Sequence, residues 1–254
     1  MTLPVHLVDD LSDATPGTRV EVRGDEAHHA VAVRRLEVGE RVVLTDGAGR
    51  SVTGPIASTG KRVFTVDVEE SATTERPRPS VTVVQALPKG ERGELAVEVL
   101  TEVGVDVVVP WAATRSVAVW RGERAVKSRT KWSATAREAA KQARRAWHPE
   151  VTALASTADV VARIRSAPVA LVLHEEANLA LAEVDVAGAD ELLLVVGPEG
   201  GITPEELEAF AEAGARAVRL GAEVLRTSTA GVVAVGALLA RTPRWGRPPH
   251  VTGA

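Results

Sequence analysis

The sequence predicts an α/β protein in which a small N-terminal β-barrel precedes a larger domain built on a mainly parallel sheet. Two contrasting patterns along the 254 residues support this prediction. Short apolar runs punctuated by glycine and proline fill residues 1–72, which is typical of a small barrel. From residue 81 to residue 254, strand-like runs alternate with helical stretches, which is typical of a parallel sheet. The polar segment 73–80 contains two prolines and predicts a linker.

The N-terminal domain is predicted to contain strands at residues 19–23, 41–45 and 62–68, with a short helix over 25–36. The third of these runs alternates apolar and polar residues, as a half-buried strand does. Glycines 47, 49 and 60 and the pair Gly54-Pro55 predict the turns between the strands.

The C-terminal domain is predicted to contain strands at 81–87, 105–109, 169–173, 192–196 and 217–220, and helices at 93–103, 203–213 and 228–240. Thr203 suits a helix N-cap, Pro204 the first helical position, and Glu206 completes a capping box. Ser228 or Thr229 is predicted to cap the last helix. That helix is apolar on every face, which predicts that it is buried.

Composition excludes several classes of chemistry. The chain has no cysteine, so disulfides, cysteine-held zinc, cysteine-held iron–sulfur clusters and cysteine nucleophiles are excluded. The pair His28-His29 has no evident third ligand, and we expect no metal. No stretch approaches the roughly 18 apolar residues of a membrane span, and residues 1–6 lack the regions of a signal peptide. We therefore expect a cytoplasmic protein that does not associate with membranes.

The charge of the chain is unevenly distributed. Its net charge is −4, yet ten Lys or Arg and only two acids lie between Arg115 and His148, a local charge of +8 that leaves −12 elsewhere. Such a basic segment is typical of a surface that binds a polyanion. It is equally typical of a solvated helix face.

Two loops near the C-terminal end are the strongest candidates for a ligand site. The first contains Gly197-Pro198-Glu199-Gly200-Gly201, and the second runs from Leu220 to Thr227. Each joins a strand to a helix, and open α/β sheets bind ligands beside such loops. Neither loop matches a dinucleotide or phosphate-binding fingerprint. A zwitterionic, adenine-bearing ligand fits this pattern, and tight turns without a ligand are the alternative.

Arg226 stands at the entry to the last helix, where its charge opposes the helix dipole. A ligand or substrate oxygen would explain an arginine there. A salt bridge to a nearby carboxylate is the alternative explanation.

Both loops resemble those of the SPOUT methyltransferases, in particular the branch that methylates N3 of a uridine in small-subunit ribosomal RNA. Other stretches that resemble this family are Lys89-Gly90-Glu91-Arg92-Gly93-Glu94, Thr114-Arg115-Ser116, Glu138 to Arg145, His174-Glu175, and His28-His29 with Arg35. The resemblance implies a deep trefoil knot in the domain at 81–254 and an RNA-binding barrel of the PUA type at 1–72. Periodicity alone predicts an ordinary doubly wound sheet, because chains rarely thread loops.

The resemblance also implies S-adenosylmethionine as cofactor and a homodimer. It implies cofactor contacts by Leu173, His174, Glu175, Val196, Gly197, Pro198, Glu199, Gly200, Gly201, Leu220, Gly221, Val224, Leu225, Arg226 and Thr227. Arg226 is our candidate catalytic residue. The candidates for RNA contact are His29, Arg35, Lys89, Arg115, Lys141, Gln142, Arg144 and Arg145.

The sequence departs from the family at two places. Ser228 replaces the glutamate of the usual Leu-Arg-Thr-Glu-Thr-Ala, and residues 4–8 lack an arginine often found there. We expect methylation of a uridine N3 in 16S ribosomal RNA, with that RNA or the assembled small subunit as partner. Methylation of a ribose 2′-oxygen, or a role as an RNA-binding assembly factor without activity, are the alternatives.

Overall fold

The computed structural model describes residues 3–246, which form two compact units. The N-terminal unit contains residues 3–76 and 141–148, and the C-terminal unit contains 77–140 and 149–246. Residues 1–2 and 247–254, which our predicted domain limits include, lie outside the described residues. The limits 1–72 and 81–254 stay a prediction.

A mixed sheet forms the N-terminal unit. Its elements are β1 (Val5–Leu7), β2 (Arg19–Arg23), α1 (Gly24–His28) with a π-helical turn over His29–Val33, β3 (Arg41–Thr45), β4 (Arg50–Gly60), β5 (Val63–Asp67) and β6 (Glu70–Thr73). The strand order is β1-β3-β4-β5-β2, and β6 also pairs with β4. Leu44, Ile56 and Phe64 are buried in its core.

The predicted turn at Gly54-Pro55 is wrong, because both residues lie inside the long strand β4. Glycine is needed there for a close approach between backbones: a Cβ on Gly54 would lie 1.8 Å from the carbonyl oxygen of Asp67. A glycine inside a strand often marks such a contact rather than a turn.

The remaining elements are β7 (Ser80–Ala86), α2 (Arg92–Val103), β8 (Val107–Trp111), α3 (Glu123–Gln142), β9 (Glu150–Val151), α4 (Thr157–Ser166), β10 (Val169–Leu173), β11 (Leu179–Ala180), β12 (Glu191–Val196), α5 (Pro204–Glu212), β13 (Arg216–Arg219) and α6 (Thr227–Leu239). The C-terminal unit is built on a sheet of order β11-β13-β10-β12-β7-β8-β9. Its strand pairs are parallel, as predicted.

Helices cover both faces of this parallel sheet, as its apolar strands require. On one face, Val83 and Leu194 belong to a core that includes Trp132 of α3 and Leu238 of α6. On the other face, Val84 and Val195 pack in a core with Ile164 of α4 and Phe210 of α5. The structure therefore confirms the α/β class and the mainly buried last helix.

The start of α6 differs from the prediction. Arg226 occupies the N-cap and its side chain makes no capping hydrogen bond. Ser228 is buried in the first turn, and Thr229 Oγ1 donates to the carbonyl oxygen of Arg226. The expectation that Ser228 or Thr229 caps the helix is therefore wrong by two or three positions.

The segment between β6 and β7 has no regular secondary structure over residues 74–79, close to the predicted linker. Across residues 3–246, none of the helices combines the length and the apolar character that a membrane crossing needs.

Candidate active site

A cavity of about 320 Å³ opens at the carboxyl ends of three adjacent strands, β12, β10 and β13. Its walls come from residues 173–175, 196–199, 201–202 and 218–227, together with Arg92 and Ala230. Its volume lies in the range of sites for small molecules. The position is the one that open parallel sheets use for ligands.

Every residue predicted to contact the cofactor lines this cavity except Gly200. A Cβ on Gly200 would lie 3.0 Å from Cβ and 3.1 Å from the carbonyl oxygen of Arg115. Glycine at this position therefore allows the loop containing Arg115 to pack closely against residues 197–201, the first of the two loops predicted to bind the cofactor (the first cofactor loop). Its neighbour Gly201 has a φ of +75° and does line the cavity.

One buried carboxylate fixes the end of the first cofactor loop. Thr203 caps α5 and Glu206 completes the capping box, as predicted. Glu206 is 4% exposed, and its Oε1 also accepts hydrogen bonds from the amide and hydroxyl of Thr114 at 2.9 Å and from the hydroxyl of Thr157 at 3.2 Å. Glu206 thus joins the starts of α4 and α5 to the loop that carries Arg115.

The second loop predicted to bind the cofactor, Leu220 to Thr227 (the second cofactor loop), is largely exposed and leads directly into α6. Residues 221–226 are all exposed, and Val224 reaches 78% exposure. Behind them, the buried Gln85 donates from Nε2 to the carbonyl oxygens of Ala86 at 3.1 Å and Thr227 at 3.4 Å. The second cofactor loop is therefore held in place at Thr227, while residues 221–226 are exposed to solvent.

Arg92 also lines the cavity, although it is not among the residues that the sequence predicts to contact the cofactor. Its Nη1 lies 4.0 Å from Oε1 of Glu199, and the same oxygen accepts a hydrogen bond from the amide of Lys89 at 3.2 Å. One signal could have identified it. Arg92 is the first residue of α2, so it opposes a helix dipole as Arg226 does.

The candidates for RNA contact have different surroundings. Arg115 is exposed beside the cavity, and its Nη1 donates to the carbonyl oxygen of Gly200 at 3.2 Å. Lys89 is exposed at the loop before α2. His29, Arg35, Gln142 and Arg144 are exposed in the N-terminal unit.

Two other candidates are engaged within the N-terminal unit. Lys141 is only 12% exposed, and its Nζ lies 2.9 Å from Oε2 of Glu26. This geometry favours a structural role for Lys141 over the predicted RNA contact. Arg145 is half-buried and donates from Nε to the carbonyl oxygen of Trp147 at 3.0 Å. Within residues 3–246, no group of three or more His, Asp or Glu side chains is placed to hold a metal ion.

Comparison with known families assigns the chain to a class. A family described as "RNA methyltransferase domain" matches residues 74–239, and one described as "RNA methyltransferase PUA domain" matches residues 22–69. The fold and the two matches define an RNA methyltransferase of the SPOUT type with a PUA-like N-terminal region, which confirms the predicted fold class.

Individual relatives narrow the assignment. A protein from Mycobacterium bovis named ribosomal RNA small subunit methyltransferase E is 47% identical over 249 residues, covering 96% of this chain and 94% of the relative. The protein of that name from Bacillus subtilis is 30% identical over 230 residues, covering 87% and 90%. The chain belongs to the ribosomal RNA small subunit methyltransferase E family.

A solved structure extends the likeness to three dimensions. A methyltransferase from Legionella pneumophila in complex with the cofactor S-adenosylmethionine superposes with a TM-score of 0.85 at 26% identity, covering 95% of this chain and 98% of that one.

Proposed function

We propose that this protein uses S-adenosylmethionine to methylate N3 of a specific uridine in 16S ribosomal RNA. The supporting observation is the cavity formed by both cofactor loops in a chain 47% identical to a ribosomal RNA small subunit methyltransferase E. The Legionella relative binds the same cofactor.

The residues of the cavity fit this cofactor. Glycine backbone at 197, 201 and 221 and the side chains of Leu173 and Leu220 offer hydrogen-bonding groups beside apolar surface. Such a lining suits an adenosine and an amino-acid group, and a phosphate-binding fingerprint is missing from the sequence. The cofactor supplies a methyl group that its sulfonium already activates.

The protein's own task is to position the base and stabilise charge. Holding the uracil N3 in line with the methyl group can contribute about 7–11 kcal/mol to lowering the barrier. The N3 proton must leave, so negative charge develops on the ring. Arg226 lines the cavity and can stabilise that charge.

Because N3 lies on the Watson–Crick edge, a paired target must be opened or flipped. Exposed cations such as Arg115 and Arg144 can hold the RNA backbone.

Analysis of ribosomal RNA nucleosides by mass spectrometry tests this function. RNA from cells that lack the protein should have one N3-methyluridine fewer in 16S RNA, and purified protein with cofactor should restore it. Restoration of a 2′-O-methylated nucleoside would instead support the alternative position. Cofactor-independent RNA binding with no change in any nucleoside would support the assembly factor.

We also infer a homodimer that works in the cytoplasm, where ribosomal RNA is assembled into subunits. Apolar side chains support a dimer, since Val233 of α6 and Val224 of the second cofactor loop are exposed beside small residues of α6. Sedimentation at micromolar concentration should give twice the chain mass. A species of 26.7 kDa alone would contradict the dimer.

A further inference from the structure

Two arginines at the starts of neighbouring helices open on the same cavity. Arg92 is the first residue of α2, and Arg226 is the N-cap of α6. The two helices pack closely, since a Cβ on Gly231 of α6 would lie 3.1 Å from Leu100 of α2. A cation at a helix N-terminus is unfavourable by itself, so two of them at one cavity favour the binding of a negatively charged group there.

Both guanidinium groups retain donors for such an anion. Arg92 is 43% exposed and lies 4.0 Å from Glu199, and its guanidinium donates no hydrogen bond to any of the described residues. The guanidinium of Arg226 has neither a hydrogen bond nor an ion pair within residues 3–246. In contrast, Arg219 of the same cavity donates to the carbonyl oxygens of Ala177 and Asn178. Arg92 and Arg226 are therefore the available cations.

When uracil loses its N3 proton, negative charge develops at two oxygens, and a cation can stabilise each of them. Its N3 lies between two carbonyl carbons, and loss of the N3 proton spreads negative charge over both O2 and O4. In the proposed reaction, the N3 electron pair forms the bond to the methyl carbon. The carbon–sulfur bond breaks with its electrons remaining on sulfur, and the N3 proton leaves to water. Donors at O2 and at O4 would each stabilise part of the charge that develops.

We propose that Arg92 and Arg226 form a two-arginine clamp that binds the two carbonyl oxygens of the target uracil. This proposal rests on the proposed function and deepens it. The clamp selects uracil over cytosine, because cytosine presents an amino group where uracil has O4, and an arginine has no acceptor for it. Arg92 is then a catalytic residue together with Arg226.

Glu199 acts as a positioning residue for Arg92. Its carboxylate is held by the amide of Lys89 at 3.2 Å and faces Arg92 at 4.0 Å. The loop before α2 and the first cofactor loop are thereby linked beside the clamp. Without the Glu199 carboxylate, Arg92 would keep its charge, but its guanidinium group would no longer be held in one orientation.

The experiment measures single-turnover methyl transfer against pH, with saturating RNA and cofactor, for wild type and Arg92→Gln. Arg165→Gln is the matched control, because Arg165 is exposed in the last turn of α4 and outside the cavity. Arg92→Gln should be about a hundredfold slower at neutral pH. The difference should narrow as pH rises, because the N3 proton is then lost without the cation. The other charged or titratable groups that line the cavity are His174, Glu175, Glu199, Arg219 and Glu223.

A more acidic substrate provides a second readout. RNA transcribed with 5-fluorouridine has a more acidic N3–H, so it should restore part of the rate that Arg92→Gln loses, relative to wild type on the same RNA. Glu199→Gln should show the same dependence on pH with a smaller loss. An equal loss at every pH and on both RNAs would overturn the clamp, because a merely structural defect behaves in that way.

Calorimetry with S-adenosylmethionine tests the remaining explanation, in which Arg92 binds the cofactor and not the uracil. The clamp requires nearly unchanged cofactor affinity in Arg92→Gln. A large loss of that affinity would assign Arg92 to the carboxylate of the cofactor and overturn the proposal. If wild type does not form N3-methyluridine, the proposed function itself fails. If wild type forms it and Arg92→Gln behaves like Arg165→Gln, only the clamp fails.

Discussion

Arg226 combines an unfavourable electrostatic position with a place in the cavity wall. It is the N-cap of α6, and its guanidinium has no partner within residues 3–246. Its local contacts therefore give little structural reason for an arginine. Arg226→Ala should lower single-turnover methyl transfer about a hundred- to a thousandfold, the typical cost of losing one preorganised charge stabiliser. Cofactor affinity, measured by calorimetry, should stay nearly unchanged. A wild-type rate with saturating RNA would remove Arg226 from catalysis.

Gly221 offers the sharpest steric test of the cofactor site. It lines the cavity, and the nearest neighbour of an added Cβ is the Glu223 carboxylate at 3.6 Å, an ordinary contact. Gly221→Val should therefore fold normally and lose at least about tenfold in affinity for S-adenosylmethionine, because its side chain fills space beside the ligand. Gly200→Val is the contrasting variant. It should lower the melting temperature, since its Cβ meets Arg115 at 3.0 Å. Unchanged cofactor affinity in folded Gly221→Val would refute the site.

The end of α3 presents one cation that is free to contact RNA. Arg144 is exposed and has a φ of +53°, a conformation that asparagine tolerates better than alanine. Arg144→Asn should weaken RNA binding and reduce the slope of log affinity against log salt by about one. Arg165→Gln should leave both unchanged. Titrations of 16S RNA at several salt concentrations that superpose on wild type would exclude Arg144 from the interface.

Glu26 joins β1, α1 and the last turn of α3 through one carboxylate. Its Oε1 lies 3.1 Å from Nδ1 of His6, and its Oε2 lies 2.9 Å from Nζ of Lys141. Burial alone would raise the pKa of Glu26. Hydrogen bonds from His6 and Lys141, with the charges of both, outweigh burial and lower that pKa from 4.5 to about 2.

Because the pKa is lower in the folded state, the stabilisation is complete above the unfolded pKa of 4.5 and is lost as pH falls towards 2. After allowance for solvent screening, the loss should be about 2 kcal/mol. Urea unfolding at pH 6 and pH 3 measures it. Glu26→Gln should be less stable at pH 6 and should lose less on acidification, whereas exposed Glu37→Gln should follow wild type. Parallel pH dependence of Glu26→Gln and wild type would contradict this anchor.

Features set by nearby residues could be predicted from the sequence. Strands β2 and β10 lie where periodicity places them, at Arg19–Arg23 and Val169–Leu173. The capping box at Thr203 and Glu206 is also local and forms as predicted. These features depend on residues that lie a few positions apart, so a short sequence pattern contains all the residues that determine them.

Features set by distant residues could not be predicted in this way. The course of β4 through Gly54 depends on Asp67, and the further hydrogen bonds of Glu206 depend on Thr114, 92 positions away. The ion pair of Lys141 with Glu26 joins residues 115 positions apart. Position in sequence gives no indication of such contacts, so the pairing of Lys141 with Glu26 could not be predicted.

The basic segment of the chain is divided between the two units. The basic segment 115–148 belongs partly to the C-terminal unit and, from residue 141, to the N-terminal unit. It includes Arg115 beside the cavity and the exposed Arg144. Each unit therefore contains part of this basic segment, although the net charge of the chain is −4.

One buried ion pair connects the segment after α6 to the start of the parallel sheet. Arg244 donates from Nη1 to Oδ2 of Asp106 and to the carbonyl oxygen of Pro79, both at 2.6 Å, and from Nη2 to the carbonyl oxygen of Gly104. Asp106 Oδ2 also accepts from the amide of Val81 at 2.8 Å. The pair therefore joins the first strand of the sheet, the α2–β8 connection and the segment after α6.

Arg244→Met should destabilise the protein by about 3–5 kcal/mol, because it removes the guanidinium that pairs with the buried Asp106 carboxylate. Adding Asp106→Asn should recover part of this loss, since asparagine is neutral and its carbonyl can still accept from the amide of Val81. Chemical denaturation of wild type, Arg244→Met and the double variant measures both effects. If the double variant is less stable than Arg244→Met, the charge of Asp106 is not the source of the destabilisation. A loss below about 1 kcal/mol in Arg244→Met would mean that this ion pair does not hold the segment after α6 in place.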